Sequence, residues 1–482
     1  MEKVKIQQLM DTSGVAFGTS GTRGLVADMT DDVCAAYVTA FLAVMLRSFQ
    51  FKRIALGMDL RPSSPAIAAA CAQAIHDAGL QVDFCGALPT PALALHALQQ
   101  GIPAVMVTGS HIPFDRNGIK FYRPDGEISK TDELAIAASD VQLASQVTPD
   151  ALPAIDTRAM TAYEQRYVDF FPAGILTGLR LGVYEHSSVA RDPLRRILEK
   201  LGAEVVSLGR TDVFVPIDTE AVSAEDAARG RAWSAEYGFD ALISTDGDGD
   251  RPLMSDEHGN WLRGDIVGLL CARYLEVKHL AVPVSCNTAI EQCGFFESVI
   301  RTRIGSPYVI AAMQNFEDNS SAIAGFEANG GFLLGSPIMH EGKALLPLPT
   351  RDAILPALAV LAAAREAGIA VSTLVKALPA RYTASDRLQN IPTSTSKHLL
   401  DTWAAQPALF CEMMNQGYKI SQVDLTDGLR MTLDSQDIIH LRPSGNAPEL
   451  RCYCEAATPE SAELMTQMVL ARIAQEVSLI KD

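Results

Sequence analysis

The sequence predicts an α/β protein: three similar mixed-sheet α/β domains and a C-terminal α+β domain around a central cleft. Three observations predict it. Short apolar runs alternate with helix-period segments through most of the chain, the grammar of βαβ units and largely parallel sheets. That grammar occurs three times and changes only near the end. Each block also carries one unusual polar segment directly after a strand, at Ser110, Asp246, Glu327 and Ser444. Ligands of open α/β sheets bind beyond the carboxyl ends of strands, so the four segments are expected to share one cleft.

In the first block, residues 53–58 read as a strand. Ser63 and Ser64 are candidate caps for a helix over 66–78, and Gly79 supplies its stop. Strands at 81–85 and 104–107 flank a second helix at 91–98. The second block repeats the pattern: strand 181–184, helix 193–201 closed by Gly202, strand 204–208, helix 224–237 ending at Gly238, strand 241–244. The third has strands at 279–284 and 298–301, a helix at 307–315, a strand at 322–325 and a long helix at 352–366. The last block has strands at 437–441 and 450–455. There Thr458-Pro459-Glu460 combines a cap, a first-turn proline and an early acid, opening a helix that runs to about residue 477. The expected domains are 1–155, 156–264, 265–374 and 375–482.

Composition bounds the function. The chain has 482 residues, 48% of them apolar and 20% charged, which excludes a disordered chain. Its net charge of −17 excludes the basic stripe that nucleic acid needs. Local arginines and a metal can still bind a small anion. The first ten residues lack a signal-peptide core. The longest apolar run, 354–364, is too short for a bilayer, which needs about 20 residues. The nine cysteines are scattered, without a CxxC pair, so a reduced, cytoplasmic enzyme is expected.

Four segments carry the chemistry. Thr108 to Lys120 places a serine, an imidazole, an arginine and a lysine among turn formers. Ser110 there can be a nucleophile or a phosphate carrier, with His111 and Lys120 as candidate proton carriers. Asp246-Gly247-Asp248-Gly249-Asp250-Arg251 sets three carboxylates at alternate positions. Hard cations such as Mg²⁺ want such oxygens, and the glycines let the loop fold tightly. An EF-hand is excluded because Arg251 stands where that loop needs glycine. Arg442 to Arg451 joins two strands with arginines around a Ser-Gly turn, the chemistry of a phosphate clamp; a hairpin with surface arginines is the alternative. Two further loops are weaker signals. Phe17 to Gly24, with Arg23, could offer donors to phosphate. In Gly325 to Gly331, Glu327 could accept sugar hydroxyls or sit in a plain tight turn. Arg301, Arg303 and Lys343 are further basic residues best read as surface positions.

In this order and spacing the segments resemble the α-D-phosphohexomutase superfamily over essentially the whole chain. Thr108-Gly109-Ser110-His111-Ile112-Pro113 is similar to its TASHNP phosphoserine loop. Asp246 to Arg251 matches its DGDGDR metal loop, Glu327 to Gly331 its sugar loop and Arg442 to Arg451 its phosphate loop. The resemblance implies a four-domain, heart-shaped enzyme with a deep cleft. It further implies that Ser110 is phosphorylated and binds Mg²⁺ together with Asp246, Asp248 and Asp250. Arg251, Glu327 and Asn329 would contact the sugar phosphate. Arg442, Ser444, Gly445, Asn446 and Arg451 would hold the phosphate that is not transferred. Arg23 would neutralise charge near Ser110, while Lys120 or His111 moves the proton.

The implied reaction interconverts hexose 6- and 1-phosphates through a hexose 1,6-bisphosphate. The reading is a phosphomannomutase, with phosphoglucomutase and phosphoglucosamine mutase as alternatives. A metal-dependent sugar phosphatase and a non-catalytic sugar-phosphate binder are the remaining readings. A monomer or dimer without nucleic-acid or membrane partners is expected. The chain differs from the family loops at Gly109, Ile112, Asn329, Gly331, Asn446 and Ala447. The metal loop and serine are intact, and the sugar loop differs most.

Overall fold

A computed structural model describes residues 2–18, 21–143, 147–317, 321–444 and 448–481. The chain forms two compact units. One comprises Met1–Val277 and Gly305–Leu374; the other comprises Lys278–Ile304 and Val375–Asp482.

The first unit holds a sheet in the order Ala16–Phe17, Thr22–Leu25, Arg116–Arg123, Ala104–Val107, Arg53–Met58, Gln81–Ala87. The last three strands are parallel, joined by the helices Ser64–Asp77 and Thr90–Gln100. The others are antiparallel. The sheet is therefore mixed, as the predicted fold class has it, with parallel pairing confined to these three strands. The connection after Val107 is too short for a crossover helix, so the chain returns beside the strand it left. The strand Arg116–Arg123 begins inside the turn-rich segment Thr108 to Lys120 and runs past it, and this places Lys120 on a strand opposite Met106. Against the sheet, Tyr37, Phe41, Ile54, Leu56, Ile75 and Phe121 form a buried core.

A second sheet in this unit runs Glu204–Leu208, Arg180–Tyr184, Ala241–Thr245, Pro252–Met254; its first three strands are parallel. Ile323–Phe326, Phe332–Leu334 and Leu348–Asp352 pair antiparallel. The helix Ile354–Ala367 follows and stops at Gly368, whose φ of 64° is the left-handed conformation glycine permits. Asp352 thus ends a strand rather than opening the helix.

The second unit is built on the antiparallel sheet Tyr382–Gln389, Glu449–Ala456, Ile438–Pro443, Leu429–Leu433, Ile420–Asp424. Leu450, Cys452 and Cys454 alternate inward, packing with Trp403, Phe410 and Ile473. His279–Pro283 and Ser298–Thr302 form a parallel pair. All nine cysteines are free thiols. No helix of the described residues is long and apolar enough to cross a membrane.

Candidate active site

The first unit gathers the serine loop, the acidic loop and the Glu327 loop. Ser110 follows the strand Ala104–Val107 in a left-handed conformation, φ 52°, and is 1% exposed. Its Oγ donates to Asp246 Oδ2 at 2.6 Å and lies 3.4 Å from His111 Nδ1. The acidic loop follows the strand Ala241–Thr245. Asp246, Asp248 and Asp250 are all buried, with carboxylate oxygens within 4.8 Å of one another. The two glycines answer two steric demands. A Cβ on Gly247 would fall 2.9 Å from the Ser110 carbonyl, and Gly249 has φ 70°.

The neighbours orient the carboxylates. Lys120 Nζ donates to Asp248 Oδ2 at 2.6 Å and Asp250 Oδ2 at 2.7 Å. Thr90 Oγ1 donates to Asp248 Oδ2 at 2.7 Å. Asp246 Oδ1 accepts from the Asp250 and Arg251 amides. Asp248 Oδ1 and Asp250 Oδ1 are buried and have no hydrogen bond. Buried carboxylate oxygens of this kind call for a cation. Hard, anionic and without hydrogen bonds, with Arg251 Nε 3.5 Å from Asp250 Oδ1, they fit Mg²⁺.

The charges respond to one another. Burial and the adjacent Asp248 and Asp250 raise Asp246 well above the usual carboxylate range. Burial opposes ionisation of Asp250, but Arg351, Lys120 and Arg251 outweigh it and hold it low. Burial likewise works against the Lys120 ammonium, yet Asp248 and Asp250 raise it. Burial lowers His111 well below its ordinary value, and Arg251 and Arg23 lower it further. Its Nδ1 accepts from Arg251 Nη1 at 2.9 Å. Arg23, on the strand Thr22–Leu25, is pushed down to about 10 by burial and then by Arg251 and Arg351.

Arg351 is one residue that sequence reasoning misses. It is buried, donates from Nη2 to Asp250 Oδ2 at 2.9 Å and from Nη1 to Glu327 Oε2 at 3.1 Å. It links the acidic loop to the Glu327 loop. The latter is a tight turn in which the Gly330 amide donates to the Glu327 carbonyl at 2.9 Å. Asn329 turns its Oδ1 onto the Gly331 amide at 3.0 Å. No motif flags Arg351; only its burial among acids reveals it.

Within the second unit, Arg442 and Arg451 face each other on neighbouring strands, and Arg387 is the partner of Arg451 on the other side. Three arginines therefore stand in one row, Arg387 unannounced by any motif. Arg442 Nε donates to Asp427 Oδ1 at 3.0 Å, and the Ser444 amide to the Glu449 carbonyl at 2.8 Å. Gly445 and Asn446 lie outside the described residues. Arg301 and Lys343 are engaged elsewhere: Arg301 with Glu291 at 2.7 Å, Lys343 with the Phe171 carbonyl at 2.9 Å.

Comparison with known proteins agrees with this geometry. Residues 14–142 match the family model for phosphoglucomutase/phosphomannomutase, alpha/beta/alpha domain I, and residues 263–382 match its domain III. A phosphomannomutase of Salmonella muenchen is 52% identical over 466 residues, covering 96% of this chain and 97% of the relative. One of Sinorhizobium fredii is 46% identical over 467 residues, covering 95% and 98%. The crystal structure of a phosphoglucomutase/phosphomannomutase family protein from Burkholderia thailandensis superposes with a TM-score of 0.69 at 19% identity, covering 94% of this chain and 96% of that one. The acidic loop, the buried serine and the near end-to-end identity together place the chain in the α-D-phosphohexomutase superfamily, within its phosphoglucomutase/phosphomannomutase family.

Proposed function

We propose that the protein is a phosphomannomutase, interconverting mannose 6-phosphate and mannose 1-phosphate through phospho-Ser110 and a mannose 1,6-bisphosphate. The observation that carries this is Ser110 Oγ at 2.6 Å from Asp246, beside two buried carboxylate oxygens without hydrogen bonds. The two close relatives named above favour mannose as the substrate. Asp246, Asp248, Asp250 and the Ser110 phosphate would hold Mg²⁺, which neutralises charge on the phosphoryl group when bound.

The chain's own residues do the rest. Lys120 orients Asp248 and Asp250 as a fixed cation. His111, uncharged beside Ser110, carries the proton. Arg23 and Arg251 neutralise phosphate charge near the serine. Glu327 and Asn329 read the sugar hydroxyls. Arg442, Ser444, Gly445, Asn446 and Arg451 hold the phosphate that is not transferred. Positioning and charge neutralisation account for most of the catalysis in such transfers. The enzyme works on a small sugar phosphate as a cytoplasmic monomer or dimer.

The test is turnover of mannose 1-phosphate with Mg²⁺ and a hexose 1,6-bisphosphate activator, for wild type and Ser110→Ala. Loss of a covalent carrier is expected to lower kcat by about 10³-fold or more. Full turnover by the variant overturns the reading. Release of inorganic phosphate without benefit from bisphosphate points to a phosphatase instead. Initial rates on mannose, glucose and glucosamine 1-phosphates decide the sugar.

A further inference from the structure

We propose that Arg61 is the positioning residue for Ser110: it holds the serine loop from behind so that the hydroxyl meets the acidic triad. The inference rests on Ser110 being the phosphate carrier.

Arg61 is 1% exposed, an unusual place for a guanidinium. It lies between the strand Arg53–Met58 and the helix Ser64–Asp77, and every one of its side-chain N–H groups is engaged. Nε donates to Asp59 Oδ2 at 3.2 Å. Nη1 donates to the carbonyls of Pro113 at 2.7 Å and Arg116 at 2.9 Å. Nη2 donates to the carbonyls of Ser110 at 3.0 Å and Ile112 at 2.6 Å. The segment from Ser110 to Arg116 leaves one strand and enters the next; the Pro113 carbonyl also accepts from the Arg116 amide at 3.2 Å, and Arg61 gathers all four carbonyls onto one guanidinium. Asp59 completes the clamp. It balances the buried charge and accepts from the Gly109 amide at 3.2 Å and Ser64 Oγ at 2.5 Å. The Phe214 ring covers the guanidinium at 3.9 Å.

Ser110 gives its carbonyl to Arg61 and its hydroxyl to Asp246, and these two contacts bracket its left-handed turn. Such a conformation in a residue other than glycine persists only where its surroundings over-determine it. Gly109 belongs to the same device. A Cβ there would fall 2.5 Å from the guanidinium carbon, so glycine lets Arg61 lie against the loop. The departure from the family's alanine therefore does not leave space in the loop; Arg61 fills it. Lysine, with its donors on a single atom, cannot reproduce a planar fork reaching four carbonyls and a carboxylate.

The test uses the full chain with Arg61→Lys and, as second variant, Asp59→Asn, each checked for folding by thermal melting. The rate at which Ser110 acquires phosphate from a hexose 1,6-bisphosphate is followed by intact mass. Steady-state kcat and KM for mannose 1-phosphate are measured beside it. A displaced nucleophile is expected to slow charging and kcat about 100-fold, with KM within about threefold of wild type. Should Arg61→Lys fail to fold, Asp59→Asn is expected to slow charging at least tenfold with the same split. Charging within threefold of wild type in a folded variant overturns the assignment. A rise in KM that accounts for the loss also overturns it, since that is a binding role. A wild type that never acquires phosphate overturns the phosphoserine reading, and this inference falls with it.

Discussion

At Asp250, Lys120 and Arg351 both bind Oδ2, leaving Oδ1 without a hydrogen bond. Arg351 also neutralises Glu327, so one guanidinium offsets two buried acids. Removing one partner of a buried ion pair strands the other, at a cost of about 3–5 kcal/mol. Arg351→Met is therefore expected to lower stability by about 3 kcal/mol in urea denaturation, and to lower kcat as well. Stability within experimental error of wild type would show that Glu327 and Asp250 do not depend on it. The contrast with the acidic loop explains what sequence could tell. Asp246, Asp248 and Asp250 act through a local pattern whose spacing is itself the signal. Arg351 acts across 101 positions of sequence to Asp250, and nothing local marks it. Arg61 is equally silent in the sequence, because its partners are carbonyls that any residue possesses.

Elements position these residues in ways that a residue list does not show. The helix Thr90–Gln100 meets the acidic loop end-on: the Thr90 amide donates to the Asp248 carbonyl at 2.9 Å and its hydroxyl to Oδ2 at 2.7 Å. Outer partners of a metal ligand typically govern affinity by 10- to 100-fold, so Thr90→Val is expected to weaken Mg²⁺ about tenfold. Mg²⁺ dependence of activity, paired with calorimetry, reads this; an unchanged affinity would make the Thr90 hydroxyl a structural contact only. In the second unit, antiparallel register sets Arg387 beside Arg451, with Arg442 on the other side of Arg451. Asp427 at 3.0 Å from Arg442 and Glu449 at 3.7 Å from Arg387 offset two of the three charges, and the remaining positive charge favours an anion. Arg387→Met is expected to raise KM for mannose 1-phosphate several-fold while kcat changes little, and steady-state kinetics checks it. Helix stops were legible from glycines: Gly79, Gly202 and Gly238 each adopt positive φ just after a helix. The strand Arg116–Arg123 was not, because turn formers conceal its first residues. Arg387 escaped for a similar reason: pairing between strands is a property of the fold, and the motif that names Arg442 and Arg451 stops short of it.

Across the whole molecule, each unit carries its own core, and besides His111 and His96 in the first unit, each holds a buried histidine bonded to a backbone carbonyl. His186 in the first unit has Nε2 at 2.8 Å from the Thr245 carbonyl, and His440 in the second has Nε2 at 2.6 Å from the Asp427 carbonyl. With Nε2–H donating, Nδ1 is left buried without a hydrogen bond in both. Burial lowers each from 6.5 to about 4. Between pH 6.5 and 4 the unfolded chain therefore holds more protons at these positions than the folded one, so stability falls as pH falls through that window. Above about pH 7.5, where the unfolded histidines have also lost their protons, neither contributes appreciable pH dependence. On this basis each is expected to remove about 2 kcal/mol between pH 7.5 and pH 5. Denaturant titrations at the two pH values measure the loss, and the variants apportion it. His186→Gln and His440→Gln each lower stability at pH 7.5, where a packed imidazole is lost, yet each flattens the decline toward pH 5. A decline as steep in both variants as in wild type would assign the acid sensitivity to other groups.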